Sequence, residues 1–493
     1  MKADGEQCFM RGVSRYPSLG DAVRRISKDE LRLVYGIGEE EGMEIGSLHH
    51  DVGVDASVNI DDMLQKHFAV VGTTGVGKSS GVAVLLHSVM EKRPDLRIFL
   101  IDPHNEYGRC FGDRAQTMTP ANLRLPFWLF NFEEIVDIIY RGRPGLDEEI
   151  EILSDVIPLA KQLYGRGSRS ERLSAPAGDS GYTVDTPVPY RLTDLISLVD
   201  QRMGKLENLS SRSTHGKLLQ RISSVVNDPR YAFMFEGANV GGDTMASVIG
   251  QLFRLPTDGR PMTIMQLAGF PAETVDSVVS VLGRMAFDFG LWSDGALPLL
   301  FVCEEAHRYA SANRDLGFGP TRRAISRIAK EGRKYGVFLG LVSQRPAELD
   351  STILSQCSTL FVMRLANERD QAIIRSAVSD AAASLLSFVP SLGTREVFAF
   401  GEGVALPTRL NFKQLRSEQL PQSEAVSDAG SDFGRTVDQS FIDVVIDRWR
   451  GATLSNRLRM SEENGDQPPA KAHSKPLDPD RYRILKKPGA PSQ

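Results

Sequence analysis

At 493 residues, with 41% apolar and 25% charged side chains, the chain has the composition of a soluble globular protein of roughly two to four domains. A net charge of −5 carries no global nucleic-acid signature, so any contact with DNA must come from a local basic patch. The four cysteines, Cys8, Cys110, Cys303 and Cys357, lack paired spacing, the start has no signal-peptide core and no apolar run is long enough to span a bilayer. These features argue against a zinc site, a disulfide framework or a membrane anchor and fit a reducing cytoplasm.

Residues 1–60 read as β-rich with one amphipathic helix over Val23–Val34, followed by short strands at Met43–Leu48 and Asp51–Ile60. The second strand alternates Val52, Val54, Ala56, Val58 and Ile60, the period of a half-buried strand. This segment reads as a small β-rich unit, short for an independent domain.

A sharper signal follows. Apolar Phe68–Val71 runs into Gly72-Thr73-Thr74-Gly75-Val76-Gly77-Lys78-Ser79, which fits G-x-x-x-x-G-K-[ST], the P-loop. The glycines let the backbone turn so that N–H groups from Gly72 to Ser80 point at phosphate oxygens. Lys78 is placed to reach the β- and γ-phosphates of ATP, and the Ser79 hydroxyl to ligate Mg²⁺. Ser80–Met90 reads as an amphipathic helix whose positive end faces the phosphates.

Leu96–Ile101 is a second apolar strand, ending in Asp102-Pro103-His104-Asn105-Glu106-Tyr107. Asp102 and Glu106 stand where ligands bind in open α/β sheets, or else they form a plain turn. From Thr119 to about Met234 the spacing is helical, over Phe132–Tyr140, Asp147–Tyr164, Leu192–Leu206 and Thr214–Val226, and a polar stretch from Gly165 to Thr186 reads as a loop. Strand character returns at Pro261–Leu267, followed by a helix over Thr274–Phe289.

The run Leu299–Cys303 then meets Glu304 and Glu305, the Walker B pattern. Glu304 would bind the magnesium water shell. Glu305 would polarise the attacking water, a task that needs a carboxylate near the γ-phosphate. Pro320–Tyr335 is a basic helix with Arg323, Arg327, Lys330 and Lys334 at helical spacing. The strand Val337–Val342 follows and ends near Gln344, suited to sense the γ-phosphate. Arg333 is the best-placed arginine to reach a neighbouring subunit's ATP as a finger. Thr359–Arg364 and the hairpin Val397–Phe412 complete the sheet, and a short helix at Phe441–Trp449 precedes a charged, Pro-rich tail.

Taken together, HFAVVGTTGVGKSS (67–80), IDPHNEY (101–107), CEEAHRY (303–309), RIAKEGRKYGVFLGLVSQRP (327–346) and VPSLGTREVFAFGEG (389–403) resemble the HerA branch of the FtsK–HerA superfamily of RecA-like motor ATPases. The resemblance implies an α/β fold with a RecA-like P-loop core at 61–415, a helical insertion at about 119–234, an amino-terminal HAS-barrel-like region at 1–60 and a bracing segment and tail at 416–493. It implies a hexameric ring that hydrolyses ATP at subunit interfaces and moves double-stranded DNA beside a NurA-like nuclease or another effector. Lys78 and Ser79 would be its Walker A residues and Glu304 and Glu305 its Walker B pair. Gln344 would be the sensor and Arg333 the finger, with Arg327, Lys334 and Arg345 as competitors. Two departures stand out: the barrel region is short, and Arg395 occupies a turn where the family commonly has glycine. An alternative of another class is a ring-shaped ATPase scaffold that gates an effector without moving DNA. A conjugation-type secretion motor is disfavoured by the lack of a membrane span.

Overall fold

The computed structural model describes residues 16, 18–38, 41–167, 181–205, 209–238, 242–313, 317–378 and 380–422. The expected helix at Phe441–Trp449 and most of the expected brace and tail lie outside them, as do residues 168–180 of the polar stretch.

Eleven strands form one sheet: β1 (Gly42–Leu48), β2 (Asp55–Asn59), β3 (Phe68–Val71), β4 (Arg97–Asp102), β5 (Ala115–Met118), β6 (Met262–Gln266), β7 (Leu299–Cys303), β8 (Val337–Ser343), β9 (Thr359–Val362), β10 (Glu396–Gly401) and β11 (Thr408–Phe412). Their order across the sheet is β2-β1-β11-β10-β9-β3-β8-β7-β4-β6-β5. From β9 to β5 all neighbours are parallel, and from β2 to β9 all are antiparallel. The α/β class expected from the sequence is the class observed.

The unbroken apolar runs of β3, β4 and β7 have a simple cause. Both faces of the parallel section are covered, so both side-chain sets are buried. Phe68, Val70, Ile98, Leu100, Leu300 and Val302 enter one core together with the P-loop helix. Ala69, Val71, Phe99, Ile101, Phe301 and Cys303 enter the other, beneath the helices Ala272–Trp292 and Gly319–Glu331 and the helical insertion.

Several boundaries differ from expectation, each for a local reason. The first helix begins at Lys28 because Ser27 and Glu30 form a reciprocal capping box that defines its start. The strand expected from Asp51 starts at Asp55, since Asp51 accepts the Gly53 N–H and closes a turn. The helix Lys78–Lys92 is not amphipathic: Gly81 to Met90 are all buried. Strand β1 and the ring of Phe412 cover its outer side, and a β-carbon on Gly81 would come 2.7 Å from that ring. Each wholly buried Val or Leu on it contributes about 1.5–3 kcal/mol. The helix that begins at Asp147 continues through Gly167, so Gly165 belongs to a helix and not to a loop. Beyond the polar stretch, the Lys161 ammonium ties down the returning chain, donating to the carbonyls of Val184 (2.6 Å) and Thr186 (2.7 Å).

Strand β5 and the helix Met245–Phe253 have no counterpart in the sequence reading. β5 is only four residues long and gains its character from pairing with β6, which no local pattern announces.

Candidate active site

The parallel strands β3, β4, β7 and β8 all end on the same edge of the sheet, and the chemistry gathers there. After β3 the chain turns through Gly72–Gly77. Gly75 and Gly77 have φ of +78° and +91°, values that a β-carbon disfavours. Gly72 is close-packed as well, since a β-carbon would approach Met363 Cβ to 2.8 Å. The first half of the loop is anchored to the neighbouring strand ends. Gly72 donates to the Ser343 carbonyl, and Thr73 donates its N–H (3.0 Å) and hydroxyl (3.1 Å) to the Arg364 carbonyl. The second half, Gly75–Gly77, opens the helix at Lys78, and its glycine cap offers no side-chain acceptor to the first helical N–H groups.

Strand order explains which side chains meet. β8 lies between β3 and β7, so the residue after β8 faces the P-loop and the acids after β7 face its lysine. Thr74 Oγ1 donates to Gln344 Oε1 at 2.6 Å. Lys78 Nζ stands 3.5 Å from Glu305 Oε1, both side chains nearly buried. Glu305 has φ +51°, a left-handed conformation that aims its carboxylate back at the loop. His307 Nδ1 lies 3.3 Å from the other Glu305 oxygen and 3.2 Å from Ser343 Oγ, and burial pushes its pKa down.

Glu304 is buried and its Oε2 has no hydrogen-bond partner. Desolvation pushes its pKa up to about 8; Lys78 opposes that rise, while Glu305, Glu106 and Asp102 add to it. Ser79 Oγ donates to Glu106 Oε2 at 2.8 Å. Asp102 plays a different part: it is fully buried and accepts the N–H groups of Glu106 (3.1 Å) and Tyr107 (3.0 Å), so it shapes the turn that delivers Glu106. Burial raises Asp102 to about 6.

Ser79, Glu106 and Glu304 offer hard oxygen donors, one of them an orphaned buried carboxylate oxygen, a chemistry that fits Mg²⁺. The edge thus brings together Lys78, Ser79, Glu304, Glu305 and Gln344. Val76 is buried and Ser80 half-buried on the first turn of the helix.

Arg333 is not brought to this site. It is exposed on the turn Gly332–Tyr335 before β8, whereas Gln344 follows the far end of that strand. Seven residues of strand separate the two edges by roughly 20 Å. Of its competitors, Lys334 shares that turn and Arg327 is paired with Asp288 at 3.2 Å and stacked 4.0 Å over Phe287. Arg345 lies on the P-loop side, paired with Glu348 at 3.0 Å. The basic stripe is thinner than its sequence suggested, because Arg323 pairs with Glu133 and Arg327 with Asp288. Sequence reasoning missed the Thr74–Gln344 bond and the contact of His307 with Glu305, both of which depend on strand order.

Residues 43–286 match the family model described as "Helicase HerA, central domain". The chain is 26% identical to the "DNA double-strand break repair helicase HerA" of Pyrococcus furiosus, over 81% of this chain and 74% of that relative. It is 25% identical to the HerA of the same description from Saccharolobus solfataricus, over 85% and 80%. Among solved structures, VirB4 of Thermoanaerobacter pseudethanolicus superposes with a TM-score of 0.51 at 17% identity, covering 78% of this chain and 99% of that one. The plasmid coupling protein TrwB in complex with ADP and Mg²⁺ gives a TM-score of 0.50 at 15% identity, covering 84% and 98%. The two structural likenesses concern the fold.

Proposed function

We propose that this chain, a HerA-type ATPase of the FtsK–HerA superfamily, is a ring-forming motor that hydrolyses ATP between subunits and drives double-stranded DNA through its centre. One observation carries the reading. Lys78, Ser79, Glu304, Glu305 and Gln344 gather on one edge of the sheet, while Arg333 stands on the opposite edge, which in this reading leaves it to a neighbouring copy's nucleotide.

In this reading the backbone of Gly72–Ser80 and Lys78 hold the phosphates. Ser79 and Glu304 would hold Mg²⁺, with Glu106 beside Ser79, and the cation would supply charge neutralisation on the phosphate oxygens. Glu305 takes a proton from a water aligned with the γ-phosphorus. The new P–O bond forms as the bond to the β–γ bridging oxygen breaks, which leaves ADP and phosphate. Gln344, steadied by Thr74, senses the γ-phosphate, and Arg333 of the adjoining subunit stabilises the charge that develops on it. Arg322, Lys330 and Lys334 make no ion pair among the described residues and are the cations left to meet DNA phosphates. Six copies facing one pore sum to a positive lumen although each chain is acidic.

In this reading residues 1–60, whose strands β1 and β2 continue the motor's sheet through β11, offer a reduced HAS-barrel-like docking region to a NurA-like nuclease or another effector, residues 61–415 carry the nucleotide site and 416–493 brace the next subunit, in the cytoplasm. Among the described residues no helix is long and apolar enough to cross a membrane. The test is the ATPase rate with and without linear double-stranded DNA, on protein whose mass in solution has been measured. Strong stimulation of a hexamer supports the motor. A hexamer indifferent to DNA refutes it in favour of a scaffold that gates an effector.

A further inference from the structure

The turn from Ser391 to Val397 lies across the P-loop. Arg395 donates its backbone N–H to the Val76 carbonyl at 2.9 Å, and its own carbonyl accepts the Phe412 N–H at 3.1 Å. These two bonds hold Arg395 at φ +65°, in the left-handed region where a residue with a β-carbon is disfavoured and glycine is at ease. A position shaped for glycine therefore carries a long cationic side chain. Its Cγ lies 3.2 Å from where a β-carbon on Gly77 would stand, so the side chain passes directly over the last glycine of the loop.

Among the described residues the guanidinium has no acceptor of its own. Neighbouring arginines do: Arg364 donates to the Leu392 carbonyl at 3.4 Å, and Arg409 pairs with Glu396 at 2.5 Å. Arg395 is half-buried, and among the described residues no carboxylate or carbonyl is bonded to it. A partly desolvated cation over a phosphate-binding loop calls for an anionic partner.

We propose that Arg395 is a phosphate-binding residue acting within its own subunit, its guanidinium taking oxygens of the α- and β-phosphates of a nucleoside di- or triphosphate. This rests on the P-loop reading above. The planar fork of donors suits two phosphate oxygens at once, which a lysine ammonium does not reproduce. The role is separate from that of Arg333: Arg395 is fixed to the P-loop backbone of the same chain, whereas Arg333 stands on the far edge.

The experiment is calorimetric titration of ATP, ADP and AMP, with Mg²⁺, into the full chain and its Arg395→Gly and Arg395→Lys variants. Arg395→Gly deletes the cation and suits the left-handed backbone, so the nucleotide-free melting temperature is expected not to fall. Its Kd for ATP and ADP should rise together by about ten- to a hundredfold, the range for a lost hydrogen bond to a charged group. The loss for AMP should be smaller, and Arg395→Lys should lie between. Unchanged affinities for ATP and ADP in both variants would overturn the proposal, as would an equal loss for AMP, which would place the contact on the nucleoside. If Arg395→Gly melts early, the Arg395→Lys titration decides. A wild-type chain that binds none of the three nucleotides refutes the P-loop reading itself and is distinguished by that.

Discussion

Replacing Glu305 by Gln removes one negative charge and almost no volume from a buried pair. Lys78 Nζ and Glu305 Oε1 are 3.5 Å apart with each side chain only 7% exposed. At an effective dielectric near 20, attraction at that distance is on the order of 4–5 kcal/mol before desolvation is counted. Two effects should separate. In the nucleotide-free protein the variant leaves Lys78 short of its partner, a loss on the order of 3 kcal/mol. Bound triphosphate supplies the missing charge, so ATP should raise the melting temperature of the variant more than that of wild type. Turnover should respond in the other direction. Without a carboxylate to take the proton from water, the rate should fall about 10²- to 10⁴-fold, while ATP affinity holds or improves. Single-turnover hydrolysis of radiolabelled ATP, beside equilibrium binding on the same preparation, reads both. A variant that hydrolyses ATP within about threefold of wild type would refute the assignment of Glu305 as the water-activating group.

Lys78→Ala should abolish ATP binding as well as turnover, since it removes the buried ammonium that the loop itself carries. Arg333→Ala should form wild-type assemblies that bind ATP and do not hydrolyse it; mixing it with Lys78→Ala should restore part of the rate, because each supplies what the other lacks across an interface. Mixed assemblies that stay inactive would move the finger to another residue. A third prediction concerns acid. His67 is buried, with Nδ1 accepting the Leu339 N–H (3.0 Å) and Nε2 donating to the Ala329 carbonyl (3.1 Å), and desolvation holds its pKa down at about 4 against an ordinary 6.5. Between those values the unfolded chain binds the extra proton, so this stabilisation is complete above about pH 6.5 and is lost as pH falls toward 4, by up to about 3 kcal/mol. Urea midpoints at pH 7 and pH 5 should differ less for His67→Gln than for wild type, and equal differences would show that His67 does not set the acid limit.

What could be read from the sequence is what lies consecutively along it. The strand–loop–helix at 68–80 is one continuous turn, so its glycines, lysine and serine are in register by covalent geometry alone. The same holds for Glu304 and Glu305 at the end of β7, and for Gln344 just past β8. Unbroken apolar runs marked the parallel strands β3, β4, β7 and β8, because a parallel sheet covered on both faces demands them, whereas period-two alternation marked the antiparallel β2.

What tertiary structure alone decided is who meets whom. Thr74 and Gln344 are 270 residues apart, and Lys78 and Glu305 are 227 apart. They touch because β8 inserts between β3 and β7, an order that backbone pairing sets and no local period encodes. Asp102 and Glu106 were ambiguous as neighbours in sequence; folding assigned one to the turn and the other to Ser79. The basic stripe lost Arg323 and Arg327 to Glu133 and Asp288, acids contributed by other helices. Arg395 is an arginine in a turn until the fold lays it over Gly77, on a left-handed backbone and with no bonded partner among the described residues, which is what makes it a candidate for the site. Motifs are local because they are single turns of chain. The site is non-local because a charge acts on whatever the sheet brings within a few ångströms of it.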